Sequence, residues 1–99
     1  MRRIGTALPS ILTGLNNGTK LNSFELNVAP TSLESIDLSG NTKLNNVSIN
    51  NCPGVLSISL SNATGLKDIE ITNNESLTSI TLPKNAPITN LNLSGNRSL

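Results

Sequence analysis

From Leu33 onward the chain is written in segments of eleven residues: LESIDLSGNTK, LNNVSINNCPG, VLSISLSNATG, LKDIEITNNES, LTSITLPKNAP and ITNLNLSGNRS, then Leu99. An earlier copy, LNSFELNVAPTS, begins at Leu21 and carries one extra residue. Position 1 of the seven copies is Leu21, Leu33, Leu44, Val55, Leu66, Leu77 and Ile88. Position 4 is Phe24, Ile36, Val47, Ile58, Ile69, Ile80 and Leu91, and position 6 is Leu26, Leu38, Ile49, Leu60, Ile71, Leu82 and Leu93. None of these 21 positions is polar. Self-similarity at a fixed period marks a repeat array, in which each unit buries its apolar side against its neighbours.

Positions 4 and 6 are two apart and position 4 is mostly β-branched, which fits a short strand with alternate side chains inward. Gly40-Asn41, Pro53-Gly54, Gly65, Pro83 and Pro87 then break each strand and turn the chain. An eleven-residue helical period competes, but positions 1, 4 and 6 scatter around a helix, and glycines and prolines recur. A strand and a turn of eleven residues cannot enclose this much aliphatic bulk. Two units back to back, about 22 residues, can close a coil, and coils then stack at about 4.8 Å as two facing parallel sheets. The expected fold is an all-β repeat: a β-solenoid with two short parallel strands per coil over residues 21–99, its seven units making three and a half coils.

The pattern L-x-x-[IVL]-x-[IL]-x-x-[NC]-x-x-[LVI] resembles the conserved segment of leucine-rich repeats. Position 9 carries Asn41, Cys52, Asn74, Asn85 and Asn96, similar to the family's structural ladder of asparagines, with Ala63 departing from it. An Asn amide both donates and accepts, so it can bridge backbone groups left open in stacked turns. Most of the family uses one strand per 20–29 residues. This chain is closer to the bacterial surface-protein variety (internalin-type), with strand on both sides of the coil. The resemblance implies a right-handed solenoid and an extracellular or cell-surface location.

Residues 1–20 break the period and are expected to form an N-terminal capping segment. Ile4, Leu8, Ile11, Leu12 and Leu15 share one helical face, Thr6 can cap and Asn17-Gly18 can terminate, which predicts a helix over about 7–16. At the other end Leu99 is position 1 of a unit that is not made. Two expectations stay open there: the chain is an excerpt of a longer array, or its C-terminal edge meets a partner or another copy. Met1-Arg2-Arg3 and the apolar residues after it are diluted by Gly5, Thr6, Pro9 and Ser10 and lack a small-x-small site, so no signal peptide is expected. No run approaches the length of a membrane span, so no membrane insertion is expected.

The outward positions 3, 5 and 7 form two faces. Ser35, Asp37, Ser39, Ser57, Ser59, Ser61, Ser79 and Thr81 make a flat hydroxyl carpet, the candidate binding face. The other face carries Asn46, Ser48, Asn50, Asp68, Glu70, Thr72, Asn90, Asn92 and Ser94. Both also fit the plain role of a solvated sheet surface. The hydroxyl rows are similar to those of ice-binding proteins but lack their Thr-x-Thr regularity.

Catalysis finds little purchase. The chain has no histidine, and Phe24 is its one aromatic residue, which removes the usual general base and any stacking platform for bases or sugars. Asp68 and Glu70 lie about 7 Å apart on one strand face, a glycosidase-like spacing, yet a flat sheet offers no cleft. Asp37, Asp68, Glu70 and Glu75 lack calcium-loop spacing. Cys52 is single, so no internal disulfide forms, and it fits a small apolar plug in a turn. The N-x-[ST] matches at Asn17, Asn46, Asn62, Asn74, Asn92 and Asn96 follow from the repeat composition, and ladder residues Asn74 and Asn96 face inward. A net charge of +1 leaves no electrostatic footprint for nucleic acid. The expected function is a non-enzymatic protein-binding or adhesion module with no cofactor and no metal. The alternative is a self-assembling structural solenoid, an end-to-end homo-oligomer forming a fibre or virion appendage. Its partner is accordingly another protein or further copies of itself.

Overall fold

A pleated strand sends alternate side chains to opposite sides, so the apolar positions 4 and 6 of every unit must share one side, away from 3 and 5. The computed structural model, which describes residues 2–3, 11–12, 22–28 and 31–99, is built on this alternation. Among the described residues nine strands follow in chain order: β1 Arg2–Arg3, β2 Ile11–Leu12, β3 Ser23–Asn27, β4 Ser35–Asp37, β5 Asn46–Asn50, β6 Ser57–Ser59, β7 Asp68–Thr72, β8 Ser79–Thr81 and β9 Asn90–Asn92. They alternate between a five-stranded sheet, β1-β3-β5-β7-β9 (sheet A), and a four-stranded sheet, β2-β4-β6-β8 (sheet B). Every pairing is parallel.

The register gives the coil length directly. On sheet A Val47 pairs with Ile69 and Ile69 with Leu91, and on sheet B Ile36 pairs with Ile58 and Ile58 with Ile80. Each pairing joins positions one coil apart, the same interval of 22 that separates Ser35 from Ser57 and Asp68 from Asn90. Phe24 to Val47 is longer by one, like Asn27 to Asn50 at 23, because the extra residue of the first unit is absorbed in its turn and the strands stay in phase. Each coil is therefore two units, one strand in each sheet.

Between the sheets lie the apolar columns. Phe24, Leu26, Val47, Ile49, Ile69 and Ile71 come from sheet A, and Ile36, Leu38, Ile58 and Leu60 from sheet B, all buried. The position-1 residues Leu33, Leu44, Val55, Leu66 and Leu77 are buried with them. Each such side chain contributes about 1.5–3 kcal/mol of hydrophobic stabilisation relative to exposure. Ile80, Leu82, Ile88 and Leu93, in the last two units, are only partly buried against this core.

Backbone pairing continues past the strands. At position 2 the N–H groups of Asn45, Lys67 and Thr89 donate to the carbonyls of Asn22, Asn45 and Lys67, one coil back. At position 8 the N–H groups of Val28, Asn51 and Asn73 donate to the carbonyls of Asn50, Thr72 and Ser94, one coil on. Val28, Asn51, Asn73 and Gly95 all hold a left-handed φ, between 56° and 76°, so each turn leaving sheet A bends the same way. Asn and Gly adopt that conformation at little cost, whereas a β-branched Val holds it under strain. Gly54 meets a different demand, since a Cβ there would lie 2.2 Å from the Thr31 carbonyl oxygen.

At the N-terminal end the structure differs from the expected helix over 7–16. Ile11–Leu12 are strand, paired with Ser35 and Ile36 of β4, where the neighbouring backbone offers donors and acceptors that a helix would forgo. The rest of that expected helix lies outside the described residues. No helix among the described residues is long and apolar enough to cross a membrane.

Candidate functional site

Because each coil takes up two units, position 9 falls alternately on the two turns of the coil, and the expected ladder divides accordingly. Cys52, Asn74 and Asn96 stack in the turn that leaves sheet A, all buried. Asn74 Oδ1 accepts the Cys52 N–H at 2.9 Å, and Asn96 Oδ1 accepts the Asn74 N–H at 3.0 Å. The amide nitrogens complete the rung: Asn74 Nδ2 donates to the Ile49 carbonyl at 3.1 Å and Asn96 Nδ2 to the Ile71 carbonyl at 2.7 Å. Each asparagine thus satisfies groups in the coil before it, which a buried turn requires.

The opposite turn stacks Asn41, Ala63 and Asn85, and only the first two are buried. Asn41 and Ala63 close their turns by donating N–H to the carbonyls of Leu38 and Leu60. Asn85 is exposed, with φ 60°, and so stands off the ladder expected of it. Pro83 two residues earlier is buried in that turn, and Ala86 takes the inward place against the core. Proline fixes its own φ and lacks an N–H, so this turn closes differently, with Ile88 N–H on the Ala86 carbonyl.

On sheet B the expected hydroxyl face is assembled in columns: Ser35, Ser57 and Ser79 in one, and Asp37, Ser59 and Thr81 in the next. Ser39 and Ser61 continue past the strand ends. Part of its capacity is used internally. Ser35 and Ser57 hydroxyls are 3.2 Å apart, and Asp37 Oδ1 accepts the Ser39 N–H at 3.0 Å.

Sheet A is different in shape. Its outward columns are Ser23-Asn46-Asp68-Asn90 and Glu25-Ser48-Glu70-Asn92. Short Ser48 lies between the longer Glu25 and Glu70, and the two columns line a depression of about 400 Å³. Glu25 and Glu70 are two strands apart, about 9–10 Å along the sheet. The position-7 column bounds this region with side-chain bonds: Asn50 Nδ2 donates to Asn27 Oδ1 at 3.0 Å and to Ser48 Oγ at 2.8 Å, both part-buried, and Thr72 Oγ1 donates to Asn50 Oδ1 in a buried bond. No Lys or Arg occupies position 3, 5 or 7 of β3, β5, β7 or β9, so three carboxylates set the charge over these four strands. Arg3 of β1 stands in register with Glu25 at the border of the sheet.

Asp68 and Glu70 therefore line a hollow and not the flat sheet expected of them. Asp68 accepts a hydrogen bond from Asn90 Nδ2. Among the described residues no group of three His, Cys, Asp or Glu is placed to hold a metal ion. The arrangement is suited to receiving hydrogen-bond donors and positive charge along an extended surface. The sequence signal for the hollow is the alternation Glu25-Ser48-Glu70, visible only when the twelve-residue first unit is aligned with the rest. Comparison with protein-family models, curated proteins and solved structures returns no match.

Proposed function

We propose that this chain is a non-enzymatic, leucine-rich-repeat-like module that binds a protein partner outside the cell or at its surface, and that sheet A meets the partner. The single observation that carries this is the acidic, amide-lined depression between Glu25, Asp68 and Glu70. A rigid parallel sheet holds those side chains in fixed columns, so little ordering remains to be done on binding. The repeat pattern and the hydrogen-bonded Cys52-Asn74-Asn96 stack support the leucine-rich-repeat-like assignment, and with it the surface location. The partner segment is extended and rich in Lys or Arg, because like charges would be repelled from this face.

The test is an NMR titration with hexalysine, with hexaglutamate as control. Saturable shifts centred on Asn46, Ser48 and Asn92, abolished by Ser48→Trp and unaffected by Ser59→Trp, are expected. Shifts centred on Ser57 and Ser59, or no saturable response, would overturn the assignment of the face.

A further inference from the structure

We infer that the segment received by sheet A is a left-handed polyproline II helix lying along the solenoid axis, with Lys or Arg at two positions three residues apart. The inference rests on sheet A being the binding face. It follows from the shape of the depression, which is a groove. One wall is the column from Ser23 to Asn90 and the other the column from Glu25 to Asn92. The walls, at positions 3 and 5, stand about 7 Å apart, and four strands give a length of about 14 Å. The groove therefore runs across the strands, over Phe24 and Ile69.

These dimensions select the conformation of an occupant. An α-helix is about 10–12 Å across, too broad to lie between the walls. A β-strand rises about 3.3 Å per residue, so its same-side residues fall about 6.6 and 13 Å apart. Polyproline II rises about 3.1 Å per residue with three residues per turn. Positions i and i+3 then face one way, about 9.3 Å apart. Glu25 and Glu70 stand on one wall, about 9–10 Å apart, with Ser48 between them. Two cations three residues apart on such a helix meet both carboxylates at once. Glu70 is exposed and gives its carboxylate to no hydrogen bond among the described residues. Asn27 Nδ2 donates to Glu25 Oε2 at 2.7 Å, which fixes the other carboxylate at its wall.

The walls also serve the backbone of an occupant. Polyproline II makes no internal hydrogen bonds, so a bound segment needs partners for its carbonyls and remaining N–H groups. The backbones of β3, β5 and β7 are paired on both sides within sheet A and offer none. Side-chain amides take that part. Asn92 Oδ1 accepts the Ser94 N–H at 3.1 Å, which leaves its Nδ2 hydrogens for a ligand carbonyl. Asn46, exposed in the middle of the groove, can both donate and accept. Grooves that take such helices commonly read prolines with aromatic rings. Here Phe24 is buried, so recognition falls to charge and amides. A proline-rich segment holds this conformation before it binds, which keeps the ordering cost low.

NMR titration of the whole chain with three capped octapeptides tests the spacing. Each is proline apart from two lysines set two, three or four residues apart, so charge and length are equal. The peptide with lysines three apart is expected to bind about two- to fivefold more tightly than the others, the gain from one further exposed ion pair. Either Glu25→Gln or Glu70→Gln should erase that preference. Glycine in place of every proline, with the lysines kept three apart, should weaken binding. Equal affinity at all spacings, a preference for another spacing, a preference that survives both substitutions, or no loss with glycine would overturn the inference and leave the binding face standing. Shifts away from sheet A, or none, would overturn both.

Discussion

Asn74 Oδ1 accepts the backbone N–H of Cys52, one coil earlier in the chain, at 2.9 Å. The same side chain donates to the Ile49 carbonyl, so one amide ties the turn to two backbone groups of the coil before it. Asn74→Ala takes the side-chain acceptor from the buried Cys52 N–H and one donor from the Ile49 carbonyl. The expected loss is about 1–3 kcal/mol, the cost of one stranded buried group. Asn85→Asp, at the exposed site off the ladder, should stay within about 0.5 kcal/mol. Urea denaturation of the two variants checks the contrast.

Gly54 and Gly65 both end a unit, yet they respond to a methyl group differently. A Cβ at Gly54 would meet the Thr31 carbonyl oxygen at 2.2 Å, whereas at Gly65 the nearest atom is the Thr42 oxygen at 3.6 Å. Backbone cannot swing aside as a side chain can, so Gly54→Ala should cost about 1–3 kcal/mol. Gly65→Ala should be neutral or stabilise by up to about 1 kcal/mol, through the reduced freedom of the unfolded chain. Thermal melts of both variants would decide it.

Val28 occupies the left-handed position that Asn51, Asn73 and Gly95 fill in later coils. It is also 63% exposed, so little burial is lost on replacing it. Val28→Asn is expected to stabilise the fold by about 1 kcal/mol through relief of backbone strain. A lower melting temperature for this variant would contradict the account of the turn.

Ile58 is buried between the sheets while Ser59, the next residue, faces out from sheet B. Ile58→Asp should unfold the chain, since an unpaired charge in an aliphatic core costs more than about 4 kcal/mol. Ser59→Asp should leave the circular-dichroism spectrum unchanged. Equal damage from both would reverse the assignment of inside and outside.

The inward side of the coil is legible in the sequence because it is a local property. Ile36, Ile58 and Ile80 fall on one column simply because each stands at position 4 of a strand in register. Stacking of turns is legible at Asn74 and Asn96 for the same reason. Asn85 matches its unit equally well, but buried Pro83 alters the turn and Ala86 supplants it. The hollow on sheet A is harder to foresee, since it depends on side-chain lengths in three strands on successive coils. Its flank at Glu25 belongs to the unit whose extra residue hides the alignment.

A coil made of two dissimilar halves gives the chain a parity. Removing or duplicating a pair of units would shorten or lengthen the array and leave every surviving strand on its own sheet. Removing a single unit would send each later strand to the opposite side. The amide stack of Asn74 and Asn96 would then continue into a bend that holds Asn41 and Ala63, and the carboxylates of β7 would emerge among serines. Growth of such a protein by internal duplication is therefore expected to proceed in even numbers of units, with odd changes confined to places where neither bend nor face has a task.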